Sequence, residues 1–129
     1  MDTHIGPARP AVIMIVEGRV PPDGREALEE FYGVAEPYFQ DHGTTNVRLQ
    51  WDDDDPRRFR AIFEYESEGS FEEDDVRTRV DPQFMALRSR FLAHLDGVPV
   101  VSVWRETAKQ YCADLVRAYW GLLDAREWI

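Results

Sequence analysis

The chain has 129 residues, of which 43% are hydrophobic, 12% aromatic and 31% charged, a balance that suits one folded domain and excludes a disordered or fibrous chain. Twenty-five acidic residues against fifteen basic ones give a formal charge of -10, which repels phosphate backbones and anionic lipid and argues against nucleic acid and membrane as partners. The single cysteine, Cys112, excludes an intrachain disulfide and a cysteine-built zinc site, and it suits a reducing, cytoplasmic setting.

Residues 1–10, with Gly6, Pro7 and Pro10 and no apolar periodicity, read as a flexible arm. The apolar run at 11–16 is far short of the ~20 residues that span a bilayer. Its β-branched content predicts a strand running to Val20 and covered on both faces. Pro21, Pro22, Asp23 and Gly24 stop it, and Asp23 is placed to cap a helix carrying Ala27, Leu28, Phe31, Tyr32, Val34 and Ala35 at helical spacing. Pro37 is expected to kink this helix or end its regular part, with Gly43 as the stop.

Residues 44–51 alternate, with Val47, Leu49 and Trp51 on one face and Asn46, Arg48 and Gln50 on the other. The acidic run 52–55 and Pro56 make a turn, after which Phe59, Ala61, Phe63 and Tyr65 alternate with Arg60, Ile62, Glu64 and Glu66 as the return strand of a hairpin. Glu68, Gly69 and Ser70 are expected to break the chain. A long segment follows whose second half is helical, with Asp81 as N-cap and Pro82 in its first turn. Residues 98–106 form a last strand. Beyond it, 108–124 places Tyr111, Leu115, Ala118 and Leu122 on one helical stripe. The organisation is therefore an arm at 1–10, one domain at 11–106 and a helical extension at 107–129.

The order β-α-β-β-α-β is that of an α+β, ferredoxin-like sandwich with helices on one sheet face only. Its other face would hold polar groups of the 44–51 strand and apolar groups of its neighbours, so a second copy is expected to cover it as a homodimer.

The chain resembles the dimeric α+β barrel superfamily, and within it the antibiotic biosynthesis monooxygenase-like proteins, from Val12 to Glu106. The resemblance rests on Glu29-Glu-Phe31, on the hairpin from Trp51 to Phe59 leading into Phe63-Glu-Tyr65, and on Asp81-Pro-Gln-Phe84 before Phe91-Leu92. It implies one of three activities: cofactor-independent oxidation of phenolic or polyketide-type molecules, heme degradation, or a cyclase or isomerase reaction. Where many such sequences carry a His four residues before the helix-starting Pro, this chain has Thr78, flanked by Arg77 and Arg79. That replacement weakens the heme reading, and no cofactor is expected.

The histidines His4, His42 and His94 are too far apart for a local metal motif, and neither acidic cluster, 52–55 or 72–75, has the pattern of a calcium loop. There is no phosphate-binding glycine loop and no nucleophile elbow. The informative feature is the polar strand face: Arg48, Gln50, Arg60 and Glu64 project from adjacent strands, either lining a cavity or pairing at a dimer interface. Joined to Trp51, Phe63, Tyr65 and Trp104, they would make a pocket for a small planar aromatic molecule. In that pocket Arg48 or Arg60 would stabilise an enolate or phenolate, Gln50 would donate a hydrogen bond, and Glu64 or His42 would act as base. The same set would serve a cofactor-independent monooxygenase or a polyketide cyclase. A non-catalytic dimeric binding protein is the other class left open.

Overall fold

The computed structural model describes residues 10–106, so most of the predicted arm and the predicted helix at 108–124 lie outside the described residues. Within this range the elements run β1 (Val12–Arg19), α1 (Arg25–Asp41), β2 (Thr44–Trp51), β3 (Arg58–Tyr65), α2 (Glu68–Val80), α3 (Pro82–Ala93) and β4 (Val100–Arg105). The four strands form one sheet in the order β2-β3-β1-β4, antiparallel at every pairing. This is the ferredoxin-like arrangement that the element order predicts.

Strand alternation sorts the sheet into two faces. Val12 pairs with Tyr65 and Val16 with Ala61 across β1 and β3, and these residues, with Phe63 opposite Met14, are buried beneath the helices. Ile13, Ile15 and Glu17 point to the other face. β1 is thus buried on one face and half-buried on the other, rather than covered on both, because all the described helices lie on one side. The core is completed by Leu28, Phe31, Tyr32, Ala35, Tyr38 and Phe39 from a single stripe of α1. Full burial of each of the larger apolar side chains, such as Leu28 and Phe31, contributes about 1.5–3 kcal/mol.

Two boundaries differ from the sequence pattern. The N-cap of α1 is Gly24 rather than Asp23, which sits at a φ of 64° and makes no cap hydrogen bond. Glycine suits the cap because a Cβ there would stand 3.0 Å from the carbonyl oxygen of Pro21 and from the Val20 side chain. The expected break at 68–70 is instead the first turn of α2, because the Ser67 hydroxyl accepts from the Ser70 amide and starts the helix earlier. α2 then ends where Pro82 begins α3, with the Asp81 carboxylate capping the Gln83 amide as predicted. α1 runs on through Pro37 and closes at His42 and Gly43, the latter at a φ of 95° that favours glycine. No described helix is long and apolar enough to cross a membrane.

Candidate functional site

The helix layer does not close completely onto the sheet, and a chamber of about 280 Å³ remains between them. Its floor is Met14 and Val16 of β1, Phe63 of β3 and Val101 of β4; its roof is aromatic, chiefly Phe31, Tyr32 and Phe39 of α1 with Phe84 and Phe91 of α3. The aromatic side chains hold one another in edge-on or tilted contact, with Phe39 at 5.1 Å from Phe63 and Tyr32 at 5.9 Å from Phe91 between ring centroids. The chamber opens along β4. Val101 and Val103 pair with Val16 and Met14 on the helix side of the sheet, yet they remain 56% and 39% exposed because no described helix reaches over them.

Polar groups enter this apolar space mainly from α2 and α3. Asp74, Asp75 and Thr78 line it from α2, and Arg88 from α3. Asp74 is buried: one of its oxygens accepts from the Tyr65 hydroxyl at 2.5 Å, and the other from the Arg77 guanidinium at 3.0 Å. Arg77 also donates to the His42 carbonyl, tying α2 to the end of α1. Asp75 is paired with Arg79 at 2.8 Å, and the Thr78 hydroxyl is engaged by the Asp75 carbonyl. Arg88 has no carboxylate, carbonyl or ring partner among the described residues. With both aspartates countered, the chamber carries one uncompensated positive charge, which favours an anion inside it.

The tyrosines around the chamber are held in their neutral form. Burial pushes the Tyr32 phenol well above its ordinary value, and for Tyr65 burial is reinforced by the negative charge of Asp74. Behind them, Tyr38 stacks on His42 with centroids 4.2 Å apart and donates its hydroxyl to Asp81. Burial and that hydrogen bond raise the Tyr38 phenol too, while the bond lowers the Asp81 carboxyl.

The structure divides the sequence-predicted site between the two sheet faces. Phe63 lines the chamber, and Tyr65 lies on the same face, where it holds Asp74. Trp51 also lies on the helix side but at the strand end, under Arg25 and bonded to Glu29. Arg48, Gln50, Arg60 and Glu64 occupy the opposite face. There Arg48 pairs with Glu64 at 3.1 Å, and Arg60 donates to Gln50 at 2.7 Å. A shallow cleft of about 240 Å³ at the hairpin end gathers Gln50, Trp51 and Arg60 with Glu17, Asp52 and Arg58, without Arg48 or Glu64. Trp104 projects from the same outer face of β4, opposite Ile13, and donates to Ser102. A single pocket uniting the polar set with the aromatic one is therefore not formed, because a strand sends neighbouring residues to opposite faces.

His42 caps the end of α1 away from the chamber lining, its Nδ1 at 2.7 Å from the Tyr38 carbonyl. His94 caps α3 against the Phe31 ring, and His4 lies outside the described residues. Among the described residues no cluster of His, Cys, Asp and Glu is arranged to hold a metal ion. Arg88 and Asp74 are the chamber residues that sequence reasoning misses. The usable signal is that Arg88 lies one residue beyond Leu87 and four beyond Phe84, at the exposed edge of the stripe that faces the sheet.

No protein-family model matches the sequence, and no curated protein does. Solved structures share the fold. A monooxygenase from Streptomyces coelicolor, ActVA-Orf6, crystallised with the ligand nanaomycin D, superposes with a TM-score of 0.65 at 18% identity, covering 81% of this chain and 95% of that one. SnoaB, a cofactor-independent oxygenase from Streptomyces nogalater, gives 0.57 at 16% identity, with coverage of 79% and 96%. A conserved protein from Methanosarcina mazei gives 0.62 at 17%, with 78% and 96% covered. The fold of the antibiotic biosynthesis monooxygenase-like proteins is thus present over most of the chain.

Proposed function

We propose that this protein is a small monooxygenase-like enzyme that binds an aromatic, polyketide-type molecule in the chamber between sheet and helices and oxidises it through its enolate or phenolate without a bound cofactor. The observation that carries this reading is the unpaired Arg88 on the wall of a chamber lined mostly by aromatic and aliphatic side chains. At about 280 Å³ the chamber lies at the small end of the roughly 300–1,000 Å³ usual for small-molecule sites. Its aromatic roof suits a flat ring system, and its free cation suits the oxygen on which negative charge develops. Support also comes from the fold, shared with two proteins described as a monooxygenase and a cofactor-independent oxygenase.

The chemistry needs few groups. Removing a proton from an electron-rich ketone or phenol leaves an anion that reacts directly with dioxygen. Anthrone is a fitting probe: with one dioxygen it gives anthraquinone and water, one oxygen atom entering the new carbonyl and the other leaving as water. Oxygen uptake matched by anthraquinone formation, with label from ¹⁸O₂ in the product, is the expected result. Arg88→Met should lower the rate by about 10²- to 10³-fold, the usual loss when a charge partner of a developing anion is removed. A wild-type rate no higher than that of buffer would defeat the oxygenase reading.

The outer sheet face carries Ile13, Ile15, Val100 and Trp104, the last two 65% and 62% exposed, beside the Arg48–Glu64 pair. We assign this face to a second copy of the chain, which places Arg48, Arg60, Gln50 and Glu64 at an interface rather than at the reacting centre. The lone cysteine is in keeping with a cytoplasmic enzyme.

A further inference from the structure

α2 is an acidic helix with few apolar residues, yet the side chain it buries is a carboxylate. Asp74 is 5% exposed, and it is the one carboxylate among the described residues that is both buried and on the chamber wall; Asp75 beside it is exposed and bound by Arg79. A buried carboxylate is costly unless its oxygens are satisfied. Here each oxygen receives one donor, Tyr65 from β3 and Arg77 from α2. A carboxylate has roughly four acceptor sites, so these two donors leave it with accepting capacity to spare, and the residue itself lines the chamber. The arginine is the counter-charge to one oxygen, and the tyrosine fixes the orientation of the carboxylate.

We infer that Asp74 is the general base of the chamber, the group that takes the acidic C–H or O–H proton of the bound molecule. Resting on the reading above, this deepens it by naming the residue that generates the anion. The Asp74 oxygen forms an O–H bond, the ligand's C–H or O–H bond breaks, and its electron pair stays on the ligand as an enolate or phenolate whose charge Arg88 offsets. No oxidant enters this step. Return of the proton from the Asp74 acid to carbon reverses it, so the step is visible without oxygen as hydrogen exchange. Glu64 and His42, which the sequence offers as bases, do not line the chamber, whereas Asp74 does.

The test is anaerobic exchange of the anthrone methylene hydrogens in D₂O, followed by NMR and corrected for buffer. The wild-type chain should accelerate it, and Asp74→Asn should lower the catalysed rate by about 10²-fold or more, within the range lost with a general base. Binding of 2-naphthoate, read by tryptophan fluorescence, should persist in the variant; a merely structural aspartate would lose both together. Tyr65→Phe, which keeps the carboxylate but frees its orientation, should lower exchange by a smaller factor, about tenfold. Should Asp74→Asn not fold, Asp74→Glu serves, because displacing the carboxylate by one methylene should cost at least about tenfold in exchange. Exchange unchanged in the aspartate variants, or absent in the wild type, overturns the assignment. Exchange that is intact without oxygen uptake leaves Asp74 standing and defeats only the oxygenase reading, pointing instead to isomerase or cyclase chemistry.

Discussion

Asp74→Ala carries a stability cost that can be worked from its two partners. It deletes an acceptor whose two oxygens are held by the Tyr65 hydroxyl and the Arg77 guanidinium, and Tyr65 is fully buried. Removing one partner of a buried ion pair costs about 3–5 kcal/mol, because the charge left behind has lost its counter-ion in a poorly solvated site. The Arg77 side chain is 20% exposed and keeps its bond to the His42 carbonyl, which places the expected loss near the lower figure. Tyr65→Phe removes one hydrogen bond to a charged acceptor, about 1.5–3 kcal/mol, and leaves the ion pair in place. The two substitutions share an interaction, so the double variant should lose less than the two single losses combined, by about 1–3 kcal/mol. Urea denaturation of the four proteins measures all of these quantities. A loss below about 1 kcal/mol for Asp74→Ala, or strict additivity, would refute the buried network on which the base assignment stands.

Arg48→Met should cost under about 1 kcal/mol at concentrations where the chain is monomeric, because Arg48 is 48% exposed and exposed ion pairs contribute little; urea titration checks it. Ile15→Glu should convert the proposed dimer to a monomer in light scattering, since it places a charge in the middle of the outer sheet face. Tyr32, Tyr38 and Tyr65 have phenols raised above the value of about 10 that they regain on unfolding. The stability they contribute is therefore complete below about pH 10 and lost as pH rises beyond it. In a spectrophotometric titration they should ionise together with unfolding, and reversible ionisation near pH 10 of more than two of the five tyrosines in the folded chain would contradict their burial.

Much of the fold is legible in the residues. Alternation on either side of the 52–55 turn specifies the hairpin and its faces, Asp81-Pro82 marks the start of α3, and the order of elements suffices for the sheet topology. The pocket's composition is legible only in part. Trp51, Phe63 and Tyr65 have odd numbers and Gln50, Arg60 and Glu64 even ones; across β2 and β3 the register keeps odd with odd beyond the bulge near Thr45, so parity alone separates the two sets. What alternation does not contain is which face the helices cover with room to spare. Asp74 is hidden for a different reason: its helix has almost no apolar periodicity, so nothing local distinguishes an inward aspartate from its solvated neighbours Glu72, Glu73 and Asp75. Its inward orientation is set by Tyr65, nine residues earlier on another element.

Filling the chamber tests the central claim, that chemistry occurs between the helices and the sheet, most directly. Leu87 lines the chamber from α3 and is only half-buried, so Leu87→Trp can occupy ligand space without breaking the core. With far-UV circular dichroism and dimerisation unchanged, this variant should lose 2-naphthoate binding and anthrone turnover together. Binding and turnover at wild-type levels in a correctly folded Leu87→Trp protein would place the site elsewhere and contradict the account.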